Sequence, residues 1–326
     1  MQALSRYSQL KTGRIDLGSA IPLRKPFTLL FEPASRCNFR CICCYYNNPD
    51  VYSHMPNGLM KFENFTKIAE DLASWEGEKI KVIRIIGFGE PFINKNTGKM
   101  VETLKRLDVA DRIEITSNGS LLTPAVSRQL IDAQLDYLRI SIYAASQQRH
   151  EAVTRSKIAI EKIASNVAQL RRLRDERKRE KPFIYVKMLD SFDEEENRRF
   201  FDQYADLADE VALEQPHAWL NNDHASAQGS ADRTVCPQPF KMLSIRCNGD
   251  VIVCDPDWKN NTKVGNALEE TVKDIWNGHA LRDFWKMQLE NRRWENESCR
   301  HCTFLTNKEY VLDDLEGVSP QILEDR

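Results

Sequence analysis

Residues 36–44 read Arg36-Cys37-Asn38-Phe39-Arg40-Cys41-Ile42-Cys43-Cys44, and they follow an apolar, aromatic run, residues 27–33 (FTLLFEP), that ends at Pro33. Cys37, Cys41 and Cys44 are spaced C-x3-C-x2-C. Three thiolates on one loop can hold three irons of a [4Fe–4S] cube and leave the fourth iron open, unlike an electron-transfer cluster with four protein ligands. A zinc knuckle is the alternative, and zinc asks for a fourth His or Cys at matching distance. Cys43 is at hand, but two adjacent cysteines do not readily ligate one ion without strain. Four of the nine cysteines stand in this loop and five in the last third of the chain. Such clustering points to metal or iron–sulfur ligation rather than to a disulfide framework.

The rest of the composition is ordinary. The 326 residues carry 46 Lys+Arg against 48 Asp+Glu, a net charge of −2, with 41% apolar and 29% charged residues. That excludes a disordered chain and gives no reason to expect nucleic acid as a partner. No run approaches eighteen apolar residues, so no membrane span is expected. Residues 1–19 lack the apolar run of a secretory signal, and a reducing, cytoplasmic setting is expected. The basic run at residues 171–181 (RRLRDERKREK) has no interleaved aromatics and reads as a solvated helix face.

From Pro26 onward, strand-like and helix-like segments alternate. After the first strand comes a helical pattern over 61–75, with Phe62, Phe65, Ile68 and Leu72 on one face. Strands are expected at 81–89, 112–119, 137–144, 183–190 and 209–215, and helices at 98–109, 123–135, 157–180 and 193–208. Alternation of this kind predicts parallel β/α units, and six units predict a partial (β/α)6 TIM-like barrel in an α/β fold. The expected divisions are an N-terminal arm (1–25), the barrel core (26–219), a small, polar linker (220–235), a C-terminal cysteine unit (236–305) and a tail (306–326). Within that unit, residues 240–256 (FKMLSIRCNGDVIVCDP) predict a hairpin turning at Asn248-Gly249. A helical stretch from Thr271 to Arg293 follows, then Cys299-Arg-His-Cys302.

The cysteine loop after a first strand resembles the cluster motif of radical S-adenosylmethionine (SAM) enzymes. Gly87-Phe88-Gly89-Glu90-Pro91 is similar to that family's GGEP motif, and Thr116-Ser117-Asn118-Gly119 and Ser141 end the next two strands. The resemblance implies that Gly87, Gly89, Glu90 and Pro91 lie at the SAM ammonium, and that Ser117, Asn118 and Ser141 lie near its carboxylate and ribose. Glycines let a backbone edge approach closely, and a carboxylate accepts strong hydrogen bonds from an ammonium. One departure is Cys43, where the family usually has a bulky residue. Either it is a small filler, the favoured reading, or Cys43 rather than Cys44 is the ligand.

Cys236, Cys254, Cys299 and Cys302, with Val264-Gly265-Asn266 and Asp274-Ile275-Trp276-Asn277, resemble the single-cluster SPASM/twitch appendage of the aminocyclitol dehydrogenase and aminoglycoside epimerase branch. The resemblance implies two [4Fe–4S] clusters, one binding SAM and one auxiliary, with structural zinc as the lesser reading of the second set. It also implies an external electron donor such as flavodoxin or ferredoxin.

Cys247 and Cys43 are left over. Cys247 reads either as an inert buried thiol or, as in related epimerases, as the hydrogen-atom donor to a substrate radical. Lys187, Asp190, Glu214, Tyr143 and His217 are candidate substrate or base residues, with His217 first because a neutral imidazole accepts a proton near neutral pH. The expected chemistry is a 5′-deoxyadenosyl radical abstracting hydrogen from a small carbohydrate-like substrate (a sugar, aminoglycoside or aminocyclitol). Epimerisation through Cys247 is favoured over oxidation of an alcohol to a ketone through the auxiliary cluster. Modification of a peptide is the runner-up in substrate, and a non-catalytic zinc or iron–sulfur scaffold is the alternative of a different class.

Overall fold

Six strands alternate with helices because the sequence alternates two apolar periods. A computed structural model describes residues 15–44, 46, 48, 53, 55–214, 234–300, 302 and 313–324. After a one-turn helix, α1 (Leu17–Ala20), come β1 (Thr28–Phe31), α2 (Phe62–Ser74), β2 (Ile80–Ile85), α3 (Thr97–Leu107), β3 (Ala110–Ser117), α4 (Pro124–Asp132) and β4 (Tyr137–Ile142). Then follow α5 (Gln147–Thr154), α6 (Ile160–Glu176), β5 (Phe183–Leu189), α7 (Glu194–Tyr204) and β6 (Glu210–Glu214). The C-terminal unit has β7 (Met242–Ile245), β8 (Asp250–Ile252), β9 (Lys263–Asn266), α8 (Val272–Asn277), α9 (His279–Leu289) and α10 (Glu297–Arg300). The helix starts are written in the sequence. Thr123 accepts from Val126 N–H ahead of Pro124, and Asp193 accepts from Glu195 and Glu196 N–H ahead of three glutamates that suit the positive helix end.

The strands among the described residues lie in one sheet, in the order β6-β5-β4-β3-β2-β1-β7-β8-β9. β1 to β6 are parallel neighbours, as expected for a partial barrel of β/α units. The hairpin was expected inside a separate appendage. Instead β7 runs parallel to β1, with Thr28 beside Met242 and Phe31 beside Ile245, and only β8 is reversed, antiparallel to both β7 and β9. The C-terminal unit therefore continues the sheet of the core.

One face of the sheet is apolar and packs under the helices. Ile83, Ile85, Ile113, Ile115, Leu138, Ile140, Ile184, Val186 and Met188 are buried there, and Phe31 meets Phe65 of α2 with ring centroids 5.0 Å apart. Side chains alternate across a strand, so the register puts Arg84, Arg112, Glu114, Tyr137, Arg139, Ser141, Tyr185 and Lys187 together on the other face. Parallel strands buried on both faces are usually apolar throughout. Here the second face is charged.

Two helical expectations are corrected. The stretch over 157–180 is a shorter helix, α6, preceded by the unforeseen α5, which Arg155 ends in a left-handed conformation at φ 51°. The stretch from Thr271 to Arg293 is broken at Gly278, which is extended and both ends α8 and starts α9. His217 and most of the expected linker lie outside the described residues. No helix among the described residues is long and apolar enough to cross a membrane.

The Asn248-Gly249 turn stands as expected between β7 and β8, with Gly249 at φ +89° and an added Cβ 2.5 Å from Leu268 Cγ. Gly249→Ala is therefore expected to cost about 1–3 kcal/mol of stability, measurable as a lowered denaturation midpoint with unchanged slope.

Candidate functional site

The C-terminal ends of β1, β2, β3 and β7 meet at one edge of the sheet, and the loops that leave them carry the candidate residues. Cys37, Cys43 and Cys44 are partly buried and Cys41 is buried. Burial and the nearby carboxylate of Glu90 and thiol of Cys44 push Cys37 up to about 12, although Phe39 N–H donates to its Sγ at 3.4 Å. Burial likewise raises Cys41 and Cys44, so these thiols sit where negative charge is disfavoured unless a cation accompanies it. Burial, and after it the four thiols of this loop, raise the hydroxyl of Tyr143, just beyond the end of β4, well above its ordinary value.

In the C-terminal unit, burial and the neighbouring Cys302 push Cys236 up to about 12. Burial, then Cys302, Cys236 and Cys299 in turn, raise Cys254 well above its ordinary value. These four thiols are therefore close enough to act on one another electrostatically. Among the described residues, no group of three or more His, Cys, Asp or Glu converges tightly enough to hold a single metal ion. A cubane spreads its thiolates over separate irons. The donor chemistry of both sets, cysteine only and buried or partly buried, fits iron–sulfur clusters.

The GFGEP segment docks on the cysteine loop rather than standing free. Glu90 N–H donates to Arg36 C=O at 2.8 Å. A Cβ on Gly89 would lie 2.3 Å from the carbonyl oxygens of Ala34 and Arg36, and one on Gly87 would lie 2.4 Å from Glu32 Cγ. The close approach that demands these glycines is thus to the protein's own backbone and to Glu32. Pro91 opens the short turn Pro91–Ile93.

Glu90 is buried, and its carboxylate accepts from Ser117 Oγ at 2.8 Å, Asn118 N–H at 2.8 Å and Phe92 N–H at 3.2 Å. Burial pushes its pKa up to about 7, with those three bonds opposing. Asn118 Nδ2 donates to Asn38 Oδ1 and lies 4.0 Å from Cys37 Sγ, while its Oδ1 accepts from Ser120. Ser141 is buried on the charged face beside Lys187. Of the expected SAM residues, Glu90, Ser117 and Asn118 are in direct contact and lock the β2 and β3 loops to each other.

Cys247 stands just past β7, with its thiol 3.5 Å from Ser35 Oγ and 3.9 Å from Pro56 C=O. Burial and Glu32 push the thiol up to about 11. Its backbone N–H donates to Glu32 Oε2 at 3.2 Å, and Phe88 N–H donates to Glu32 Oε1 at 3.1 Å. Arg246 Nη1 lies 3.7 Å from the same carboxylate, both side chains fully buried. The guanidinium sits 4.1 Å over the Phe88 ring and donates to Asp257 C=O at 2.7 Å. Neither Glu32 nor Arg246 was anticipated. The only signal was a charge at the end of each apolar strand run.

The remaining candidates separate clearly. Lys187 Nζ pairs with Glu214 Oε2 at 2.6 Å, Tyr185 donates to Glu214 Oε1 at 3.2 Å, and Arg139 pairs with the same oxygen. Burial pushes Glu214 up, but Arg139 and Lys187 outweigh it and hold the carboxyl low. Asp190 accepts from Phe192 N–H and Asn197 Nδ2 and shapes its own loop.

Glu90→Ala would leave three buried donors without an acceptor. It is expected to destabilise the fold by about 2–4 kcal/mol, read as a drop in Tm of the cluster-loaded protein, beyond any loss of SAM binding.

Solved structures share this architecture. BtrN in complex with AdoMet and 2-DOIA is 20% identical, aligned over 86% of this chain and 93% of that one, with a TM-score of 0.57. Streptococcus suis SuiB bound to precursor peptide SuiA is 15% identical over 81% of this chain and 67% of that one, with a TM-score of 0.55. The GTP 3′,8-cyclase of Staphylococcus epidermidis is 33% identical over 142 residues, 43% of this chain and 40% of the cyclase. The chain thus spans well under half the length of that curated relative. The Radical SAM superfamily matches residues 31–195, just over half the chain, and the SPASM iron–sulfur cluster-binding domain matches residues 236–303. The chain belongs to the radical SAM superfamily, with SAM and a [4Fe–4S] cluster as cofactors and a C-terminal iron–sulfur SPASM domain.

Proposed function

We propose that the protein epimerises a carbon of a small, hydrophilic, carbohydrate-like substrate, with Cys247 as hydrogen-atom donor. The observation that carries the substrate class is the charged face of the sheet. Arg84 and Arg112 share Glu114 at 2.9 and 2.6 Å, and Arg139 and Lys187 share Glu214. Fixed pairs of donors and acceptors along one face of the sheet suit hydroxyl and amino groups. An apolar peptide side chain would find little to pack against there.

In this reading Cys37, Cys41 and Cys44 hold the SAM-binding cluster, and Cys236, Cys254, Cys299 and Cys302 hold one auxiliary cluster. When bound, the cluster and SAM supply the radical that removes hydrogen from the substrate carbon. Glu90 Oε2 accepts one hydrogen bond, from Asn118 N–H, and its other lone pair would be the acceptor for the SAM ammonium. The sheet's charged wall orients the substrate.

The Cys247 environment supports the donor role because burial keeps the thiol protonated, and a donor must carry its hydrogen. Transfer breaks the S–H bond, forms a C–H bond on the opposite face and leaves a thiyl radical. One electron from an external flavodoxin- or ferredoxin-like donor and one proton restore the thiol. The thiol lies beneath Pro56 and Gly58, so this segment forms one wall of the reaction site and excludes water from the thiol.

The test is a screen of sugars, aminoglycosides and aminocyclitols in deuterium oxide. The product should carry one deuterium at the inverted carbon, since a thiol hydrogen exchanges with solvent. Cys247→Ala should still cleave SAM but lose epimerised product at least about 100-fold, equivalent to about 2.7 kcal/mol. Wild-type product from the variant would reject the donor role. A ketone product without deuterium would assign the enzyme as a dehydrogenase, with His217 the first base to replace.

A further inference from the structure

The apolar stripe of α9 contains one polar intruder. Leu281, Trp285 and Leu289 are buried, as the helical period requires, and Gln288 beside them is fully buried too. An amide removed from water is costly unless its hydrogen bonds are replaced. Gln288 Oε1 accepts from the backbone N–H of Cys236 at 3.1 Å, and Nε2 lies 3.9 Å from Cys299 Sγ. The orientation of the amide is not arbitrary. A backbone N–H only donates, so the oxygen must face Cys236, and the NH2 group is left to face the sulfur.

The helix that carries Gln288 is itself held firmly. Trp285, three residues earlier on the same face, donates from Nε1 to Pro239 C=O at 2.7 Å and stacks on Phe240. The segment that begins at Cys236 is thus pinned twice by one helix face. Trp276 of α8 packs edge-on against Trp285 and donates to Leu23 C=O at 2.8 Å, which ties the pair into the core. Gln288 therefore presents its N–H to Cys299 from a rigid position.

We infer that Gln288 tunes the auxiliary cluster, by donating a hydrogen bond to the Cys299 sulfur while fixing the Cys236 backbone. The inference rests on the reading of Cys236, Cys254, Cys299 and Cys302 as that cluster's ligands. An N–H···S bond stabilises the reduced, more negative cluster over the oxidised one and raises its reduction potential. Gln288 is a positioning residue in this role, since it acts through the thiolate and touches no substrate.

Two variants separate tuning from support. Gln288→Glu keeps an acceptor for Cys236 N–H but removes the donor, whereas Gln288→Leu removes both. The experiment is a redox titration of the full-length, cluster-loaded protein, followed by electron paramagnetic resonance at a pH well above the carboxylate range. Added SAM perturbs the first cluster's signal, so the SAM-insensitive signal reports the auxiliary cluster and the first serves as internal control. The expected result is full iron content with the SAM-insensitive midpoint shifted to more negative potential in both variants, further in Gln288→Glu, and the SAM-sensitive midpoint unmoved. An unshifted midpoint in iron-replete Gln288→Leu, which removes the donor without adding a charge, would overturn the inference. So would loss of the auxiliary cluster in both variants, which would leave Gln288 a structural support alone. A SAM-insensitive signal that persists in Cys236→Ala would overturn the ligand reading instead.

Discussion

A single carboxylate holds the ends of three strands together. Glu32 is fully buried where β1 gives way to the cysteine loop, and it accepts from the backbone N–H groups of Phe88 and Cys247. A buried charge without a partner is strongly destabilising, and Arg246 supplies the opposite charge 3.7 Å away. Arg246 is equally buried and is satisfied in part by the Phe88 ring and by Asp257 C=O. The GFGEP segment, the cysteine loop, the β7 hairpin and the loop after Cys254 are bound to one another through this pair. Gly87 is glycine because the Glu32 side chain fills the space a Cβ would need.

This arrangement makes the two iron–sulfur units parts of one site. β7 completes the hydrogen bonding of β1, so the C-terminal unit cannot shift without breaking a parallel ladder inside the sheet. Burial raises the carboxyl of Asp255, next to Cys254, while the charges of Arg246 and Arg84 oppose that rise. The Cys247 thiol lies two residues beyond β7, among the same loops. In the proposed function, radical formation, substrate binding and hydrogen return are thereby gathered at the C-terminal ends of these strands, with the apolar layer and helices behind them.

Much of this was legible in the sequence because it is local. The cysteine spacing, the alternation of apolar periods and the Asn248-Gly249 turn all depend on neighbours within a few residues. What escaped is long-range. Nothing local marks β7 as a partner for β1 more than two hundred residues earlier, and the Glu32–Arg246 pair follows from that pairing. The charges of the inner face were visible one at a time, at Arg84, Glu114, Arg139 and Lys187, but only the register gathers them into a wall. Glu90 was found through its motif, whereas its bonds to Ser117, Asn118 and Phe92 depend on how the β2 and β3 loops cross. Gln288 looked like one more helical residue until the cysteine positions were known. His217 falls outside the described residues, and its role stays with the proposal.

The most direct test of the shared carboxylate is amide hydrogen exchange, read by mass spectrometry, on Glu32→Gln. Glutamine keeps the size of the side chain but has one acceptor oxygen in place of two and no charge to face Arg246. Protection in the segments containing Phe88 and Cys247 should fall together, while α2 and α6 keep wild-type protection. Wild-type protection in both segments, or loss confined to one of them, would contradict the proposal that Glu32 binds the site into a single unit.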